Sequence, residues 1–482
     1  MQQKSGAQIS QRAFIQSLVI LFALMMIAGI LTRLIPAGQY TRVEAEGRQV
    51  IDPNSFQFTQ RPDYPIWRWF TAPVEVLGAE GNLTIIVIII FLLFIGGSFA
   101  VLDKSGIVKA VIGRVVRRFG GQKYLLLLVI SLVFMAMGAF FGIFEEVIPL
   151  VPVMIALSYS LGWDALVGLG MSILATNMGF SAAITNPFTI GVAQGLAGLP
   201  LFSGAWLRII IFAVIYGILA VFITGYAKRI DRDPTASLLH GQDEKERQKY
   251  ASMQTELAAD NPKLGRAIAW FLGFTVLILA TLFAGPFIPA VSDYALPLVG
   301  VFFLIAGVGA GFLSGAGGRT VGVALWEGIS GILPGIPLIL MAVSIKHIVL
   351  SGGIMDTILH AAAQPFQSTT PFAAAVIIYG LALGIEFFVA SGSAKAFLMM
   401  PILLPLADLI GVTRQTTVLA YCFGDGFSNL AYPTNPVLLI CLGLTVVSYP
   451  QWIRWTAKLW FWVLLATVAF LGLAVAIHFG PF

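Results

Sequence analysis

The stretch FFVASGSAKAFLMMPILLPLADLIGVTRQTTVLAYCFGDGFSNLAYPTNP, residues 387–436, decides the fold. Its apolar runs are interrupted by features that an ordinary membrane span avoids. Ser391-Gly392-Ser393-Ala394-Lys395 separates an apolar run at 372–390 from another at 396–410 and reads as the turn of a re-entrant hairpin. The following run, 412–447, carries Asp425 within Phe-Gly-Asp-Gly and then Thr434-Asn435-Pro436. Proline removes a backbone donor and breaks the helical ladder, so this run is a span interrupted between Asp425 and Pro436. Backbone that leaves helical geometry at membrane depth is tolerated only where protein buries it or where it lines a cavity.

Sliding the chain on itself by 249 residues superposes Thr185-Asn186-Pro187 on Thr434-Asn435-Pro436 without a gap. The same shift places Gly162 on Gly411, Leu157 on Leu406 and Pro152 on Pro401. The apolar runs follow: 83–102 onto 331–350, 124–143 onto 372–390, and 205–226 onto 455–478. The first copy of the pattern is therefore a hairpin with limbs 124–143 and 147–161, turning at Gly142-Ile143-Phe144-Glu145-Glu146. A span at 165–199, broken between Thr176 and Pro187, follows it.

Composition agrees with this reading. Of 482 residues, 58% are hydrophobic and 11% charged, against roughly 45–50% and 25% in soluble domains, which excludes a water-soluble fold. Phe14–Ile35 is too long for a signal-peptide core and reads as the first span. Segment 103–123 carries six basic residues and its mate 352–372 none. By the positive-inside rule, equivalent loops face opposite sides of the membrane, which is the pattern of an inverted repeat. The expected fold is thus an all-α polytopic membrane protein with two inverted repeats, each with a re-entrant hairpin and a broken transmembrane helix. Residues 1–227 hold the first repeat with the N-terminal span and an external loop at 37–81. Residues 228–266 form a solvated cytoplasmic linker, and 267–482 hold the second repeat.

Charge inside the apolar segments marks the site. Glu145, Glu146, Glu386 and Asp425 lie in otherwise apolar sequence, with Lys395 as the nearest cation in the same elements. A carboxylate at the bilayer centre costs at least about 2.5 kcal/mol, so each should face a polar cavity or a partner. One lysine cannot neutralise four acids, and the surplus favours Na⁺ or H⁺ coupling or a cationic substrate group. Ser391, Gly392, Ser393 and Lys395 could hold a substrate carboxylate. Thr176, Asn177, Ser181, Thr185 and Asn186 are candidates in the first half, and Ser428, Asn429, Thr434 and Asn435 in the second. A helix half that begins at such a break points its N–H groups and positive dipole end into the cavity. Thr185, Asn186, Thr434 and Asn435 are the candidate ligands of Na⁺.

Lys346 and His347, near the end of a span, read as snorkelling side chains, and 105–119 as an interfacial helix. Arg319, Trp326 and Glu327 are read as flanking a span, with no role. The two cysteines, Cys422 and Cys441, lie in apolar sequence and form neither a disulfide framework nor a metal site. No Lys/Arg tract is interleaved with surface aromatics, which argues against nucleic acid. An intramembrane hydrolase lacks its motifs here: there is no HExxH, no Walker A, and no histidine to serve Ser391. Broken spans and hairpins at one depth suit a gated midplane site better than a channel's continuous pore.

The run 387–436, together with GFSAAITNPFTIGVAQGLAGLPLFSGAWLRI at 179–209, closely resembles the YfcC family, a branch of the DcuC-like carriers in the ion transporter superfamily. The resemblance implies a secondary carrier of the bacterial inner membrane, not an enzyme. It also implies hairpins that meet at the site, a scaffold supporting a moving transport region, a homodimer, and no cofactor beyond a coupling ion. The wider family is named for C4-dicarboxylates, and relatives of this branch for basic amino acids or arginine/ornithine antiport. The acid surplus tilts the expectation toward an amino acid, with a C4-dicarboxylate as the alternative. Superfamily members often carry Ser-Asn-Thr-like triplets at both hairpin tips. Ser391-Gly392-Ser393 matches that character and Phe144-Glu145-Glu146 departs from it.

Overall fold

The computed structural model describes the chain except residues 1–10, 46–47, 53, 80–81, 109, 112–113, 115–119, 245–261, 285–293, 334, 365–368 and 481–482. Among the described residues the architecture is almost entirely helical, with seven helices long and apolar enough to cross a membrane. The expected all-helical, multi-pass fold is therefore present.

Each half contains the same order of elements. In the first, Lys123–Ala136 continues as a wide helical turn through Met137–Phe141 and reverses at Gly142. It returns through a tight turn, Glu145–Leu150, into Val151–Ser160. In the second, Pro371–Glu386 reverses through residues 387–391 into Gly392–Ile410. A broken helix follows each hairpin. Ala165–Ser181 stops, the backbone runs irregularly through 182–186, and helix resumes at Pro187. Arg414–Phe427 stops likewise and helix resumes at Pro436. A 28-residue helix then closes each half, Ala205–Arg232 and Tyr449–Ala476.

Local chemistry explains why these elements begin and end in matching places. Gly162 and Gly411 both take left-handed φ, +89° and +81°, where a β-carbon would be strained. Asp164 caps the first broken helix through Val167 N–H, and Thr413, 249 residues later, caps the second through Thr416 N–H. Asn186 and Asn435 cap the resumed halves, and proline at the first position of each needs no acceptor.

The breaks are narrower than the sequence pattern implied. Thr176 and Asn177 lie inside the helix ending at Ser181, and Asp425 lies inside the helix ending at Phe427. Helix thus continues to Ser181 and Phe427, non-helical backbone covers 182–186 and 428–435, and the Asn186 and Asn435 side-chain caps set the new starts.

Other expectations are corrected. Gly318–Ile332 is a helix packed on Asn82–Lys104, so Arg319, Trp326 and Glu327 are part of an element rather than its flanks. Its mixed polarity hid it, and Lys104 pairs with Glu327 at 3.1 Å. His347 does not snorkel: its Nε2 lies 3.3 Å from Glu75 Oε2, joining Gly335–Ser351 to the short helix Arg68–Glu75. The linker is mostly exposed along its described part but docks on the helices at a few buried points. Residues 228–232 are helical, and Ser237 Oγ donates to Asp164 Oδ2 at 2.7 Å with Leu239 and Asp243 fully buried. Residues 245–261, and the part of 105–119 at 109, 112–113 and 115–119, fall outside the described residues. Segment 37–81 holds two short antiparallel pairs, Gly38–Gln39 with Gln57–Phe58 and Arg42–Ala45 with Arg48–Ile51. It is tied to the helix Met355–Ala363 by a bidentate Arg42–Asp356 pair at 3.0 Å.

Candidate functional site

The start of Gly392–Ile410 is laid across both broken helices, and glycine makes the approach feasible. A β-carbon on Gly392 would stand 2.9 Å from both Asp425 Oδ2 and Thr189 Cγ2. Asp425 belongs to the second broken span and Thr189 to the first, so the two halves of the molecule converge there. The broken helices also touch where Gly426 lies on Ser181. The first hairpin packs on the first broken span through Gly138 against the Thr176 carbonyl and Gly179 against the Met135 carbonyl. Its tip glycine, Gly142, lies on Asn186.

Within this junction Lys395 is fully buried and pairs with two acids. Its Nζ is ion-paired with Glu386 Oε2, across the turn of the second hairpin, and lies 2.8 Å from Asp425 Oδ1. The approach to Asp425 falls outside hydrogen-bond angles, so among the described residues neither Asp425 oxygen has a hydrogen-bond donor. The sequence pattern offered Lys395 to a substrate carboxylate, whereas the fold gives it to Glu386 and Asp425. Tyr421 donates its hydroxyl to the Gly392 carbonyl and pins the hairpin end. Ser391 is exposed and caps its own helix through Ala394 N–H at 3.5 Å, and Ser393 beside it is half-buried.

At the first tip, Glu145 and Glu146 are half-buried. Glu146 Oε2 accepts from Phe144 N–H at 3.1 Å, and Glu145 lies within electrostatic range of Glu386. All four acids named from the sequence are thus at or near one junction.

The Thr-Asn pairs serve the breaks themselves. Asn186 Oδ1 accepts from Phe188 and Thr189 N–H at 2.9 and 3.3 Å, and Thr185 Oγ1 donates to the Phe140 carbonyl at 2.9 Å. Asn435 Oδ1 accepts from Val437 N–H at 3.0 Å, and its Nδ2 donates to Asn429 Oδ1 at 2.9 Å. The amide oxygens proposed as Na⁺ ligands therefore already accept backbone donors. Among the described residues, no group of three or more His, Cys, Asp or Glu side chains has metal-binding geometry. Ser181, Thr176 and Ser428 return their hydroxyls to helix carbonyls of Asn177, Ser172 and Gly424. Both side-chain polar atoms of Asn177, with Thr434 Oγ1, Glu386 Oε1 and Asn186 Nδ2, are buried without a hydrogen-bond partner among the described residues.

Arg208 was not singled out from the sequence. It is 2% exposed, and its guanidinium donates to the carbonyls of Ile184, Ser203 and Phe202 at 3.1, 2.8 and 3.0 Å. It thereby holds the first break against the long helix that follows. The signal was available: it is a lone charge in the apolar run 205–226.

Helices long enough to span a bilayer, paired hairpins and broken helices around buried charge define a multi-pass membrane protein built for transport. The chain matches the family model DcuC, C4-dicarboxylate anaerobic carrier, over residues 14–476, and it belongs to that family of inner-membrane transporters. It is 30% identical, over 92% of each chain, to an Escherichia coli (strain K12) protein named "Putative basic amino acid antiporter YfcC". It is 24% identical to an uncharacterized protein of Haemophilus influenzae, covering 78% of this chain and 72% of that one. Two solved structures are similar at 17% identity. They are the Alcanivorax borkumensis YdaH transporter (TM-score 0.43, 97% of this chain and 99% of that one) and Neisseria gonorrhoeae MtrF, from a class of antimetabolite efflux pumps (TM-score 0.41, 96% and 95%).

Proposed function

We propose that this transporter carries a small solute with a cationic group, an amino acid such as arginine or ornithine, by alternating access between two inverted repeats, with exchange or with Na⁺ or H⁺ coupling. The observation that carries the reading is the junction's charge: four carboxylates, Glu145, Glu146, Glu386 and Asp425, against the single ammonium of Lys395. A cationic side chain relieves that excess. Arg208 keeps its charge while bound to three carbonyls, and counting it with Lys395 still leaves four carboxylates against two cations.

In this reading Lys395 is a tethered counterion. It pairs with Glu386 and Asp425 when no cationic solute is present and yields one of them when a solute enters. An unpaired buried carboxylate is costly, so the pocket favours states in which either lysine or solute occupies it. The partnerless atoms of Asn177 and Thr434 would each cost about 1–3 kcal/mol if left unpaired, and a polar solute or its water satisfies them. The relative named for basic amino-acid antiport points the same way.

A C4-dicarboxylate is the second reading, favoured by the description of the family model. Two further carboxylates would enter an already acidic junction and would need bound cations with them.

The test is uptake into proteoliposomes of labelled arginine against labelled succinate, with and without Na⁺, a pH gradient, and internal ornithine. Arginine uptake that internal ornithine accelerates and Asp425→Asn abolishes is the expected result. Succinate uptake without arginine uptake, unaffected by Asp425→Asn, would overturn the proposal.

A further inference from the structure

Away from the junction, the two 28-residue helices Ala205–Arg232 and Tyr449–Ala476 enclose a cavity of about 1040 Å³. Its wall on the first helix follows one face from Val214 to Arg229. At 1.5 Å per residue that face is about 22 Å long, more than the ~15 Å of one leaflet, half of a ~30 Å hydrocarbon core. The far part is apolar and open, with Val221 76% and Trp462 48% exposed.

The near end is cationic. Arg229, Arg454 and Lys458 are exposed and line it, the last two one helical turn apart on the same face. A smaller hollow of about 350 Å³ shares Arg229 and adds Lys228 and Arg232. The nearby acids do not cancel this charge. Asp231 is engaged by Lys123, Tyr124 and Trp163, and Asp233, which acts on Arg229 and lines the smaller hollow, offsets only one of the five cations Lys228, Arg229, Arg232, Arg454 and Lys458. Lys228 lies over the Tyr124 ring at 5.4 Å. Trp455 lines the cavity, is 5% exposed, and its Nε1–H has no acceptor among the described residues.

A run of apolar surface as long as a leaflet, ending in clustered cations and an unsatisfied buried donor, matches one ligand class. We propose that this groove is a binding site for an anionic phospholipid. Its phosphate lies among Arg229, Arg454 and Lys458, an oxygen reaches Trp455 Nε1–H, and its acyl chains follow the face from Val214 to Gly225. A second copy of the chain is a poorer occupant. A two-fold interface places the same patch on both subunits, so the cationic ends would face each other. The lipid bridges the helices that follow the two broken spans and so links the halves outside the transport site.

The experiment is native mass spectrometry of the full-length protein in detergent, titrated with phosphatidylglycerol or phosphatidylethanolamine. The wild type should retain phosphatidylglycerol about tenfold or more in preference to phosphatidylethanolamine. The triple variant Arg229→Gln, Arg454→Gln, Lys458→Gln should lose the preference, and Arg319→Gln should keep it. Val221→Trp, which fills the groove and leaves every charge in place, should lower retention of both lipids and decides the matter should the triple variant not fold. Equal retention of the two lipids by the wild type, a preference that survives the triple variant, undiminished retention of both lipids by Val221→Trp, or efficient Val221→Cys cross-linking between copies in vesicles would overturn the proposal.

Discussion

Replacing Lys395 by Met removes the ammonium between Glu386 and Asp425 while keeping most of the side chain's length. The three residues are 0%, 2% and 0% exposed, so water does not take over the lost pairing. Breaking a buried ion pair by removing one partner costs about 3–5 kcal/mol, and here two carboxylates lose their partner together. An unfolding entropy of about 2.1 cal/mol/K per residue, applied to 482 residues, comes to roughly 1 kcal/mol per kelvin. The melting temperature should therefore fall by at least about 3–5 °C. Unfolding that leaves helices intact in detergent carries less entropy and enlarges the shift. The assay is an intrinsic-fluorescence melt of purified protein at neutral pH. Adding Glu386→Gln to Lys395→Met should restore part of the loss, because one unpaired charge is then gone. A single variant melting within about 1 °C of wild type, or a double variant below the single one, would refute the pairing as the junction's organising contact.

Three further outcomes follow from other contacts. Asp164 caps the first broken span and also accepts from Tyr226 and Ser237 hydroxyls at 2.6 and 2.7 Å in a fully buried position. Asp164→Ala should cost about 3 kcal/mol or more by thermal melt, and an unchanged melt would remove its role as a hub. Gly179→Ala drives a methyl into the Met135 carbonyl where the first hairpin meets the first broken span. It should destabilise by about 1–3 kcal/mol, whereas Gly217→Ala, with open space around it, should be neutral or better, and equal effects would contradict the packing. The Glu75 carboxyl is pushed up by burial, but hydrogen bonds from Arg68, Thr71 and His347 outweigh this and hold it down at about 2. A depressed folded-state value means that this stabilisation is present above the ordinary value of 4.5 and is lost as pH falls toward 2. Melts of wild type should therefore decline more steeply than those of Glu75→Gln across that window, and parallel declines would count against the cluster.

Much of the site was legible in the sequence because membrane burial makes polar residues expensive. Glu145, Glu146, Glu386, Lys395 and Asp425 stand out in apolar sequence for that reason, and Thr-Asn-Pro announces each break through the missing proline donor. The same test applied to 205–226 would have found Arg208. The helix Gly318–Ile332 escaped because its polarity is mixed. The docking of Ser237 on Asp164 escaped because a polar segment looks solvated until its partner is known.

The sequence by itself determined the membrane environment, the repeated order of hairpin and broken span, and which charges are confined to the interior. Each follows from local quantities: hydropathy, proline and glycine chemistry, and the cost of desolvating an ion. Only the tertiary structure decided that Lys395 serves Glu386 and Asp425, and that Gly392 lies against both Thr189 and Asp425. Those pairings join residues 9 to more than 200 positions apart, and chain proximity carries no information about them. They are set by which helix surfaces pack, and by glycines that let backbone approach where a β-carbon would block it.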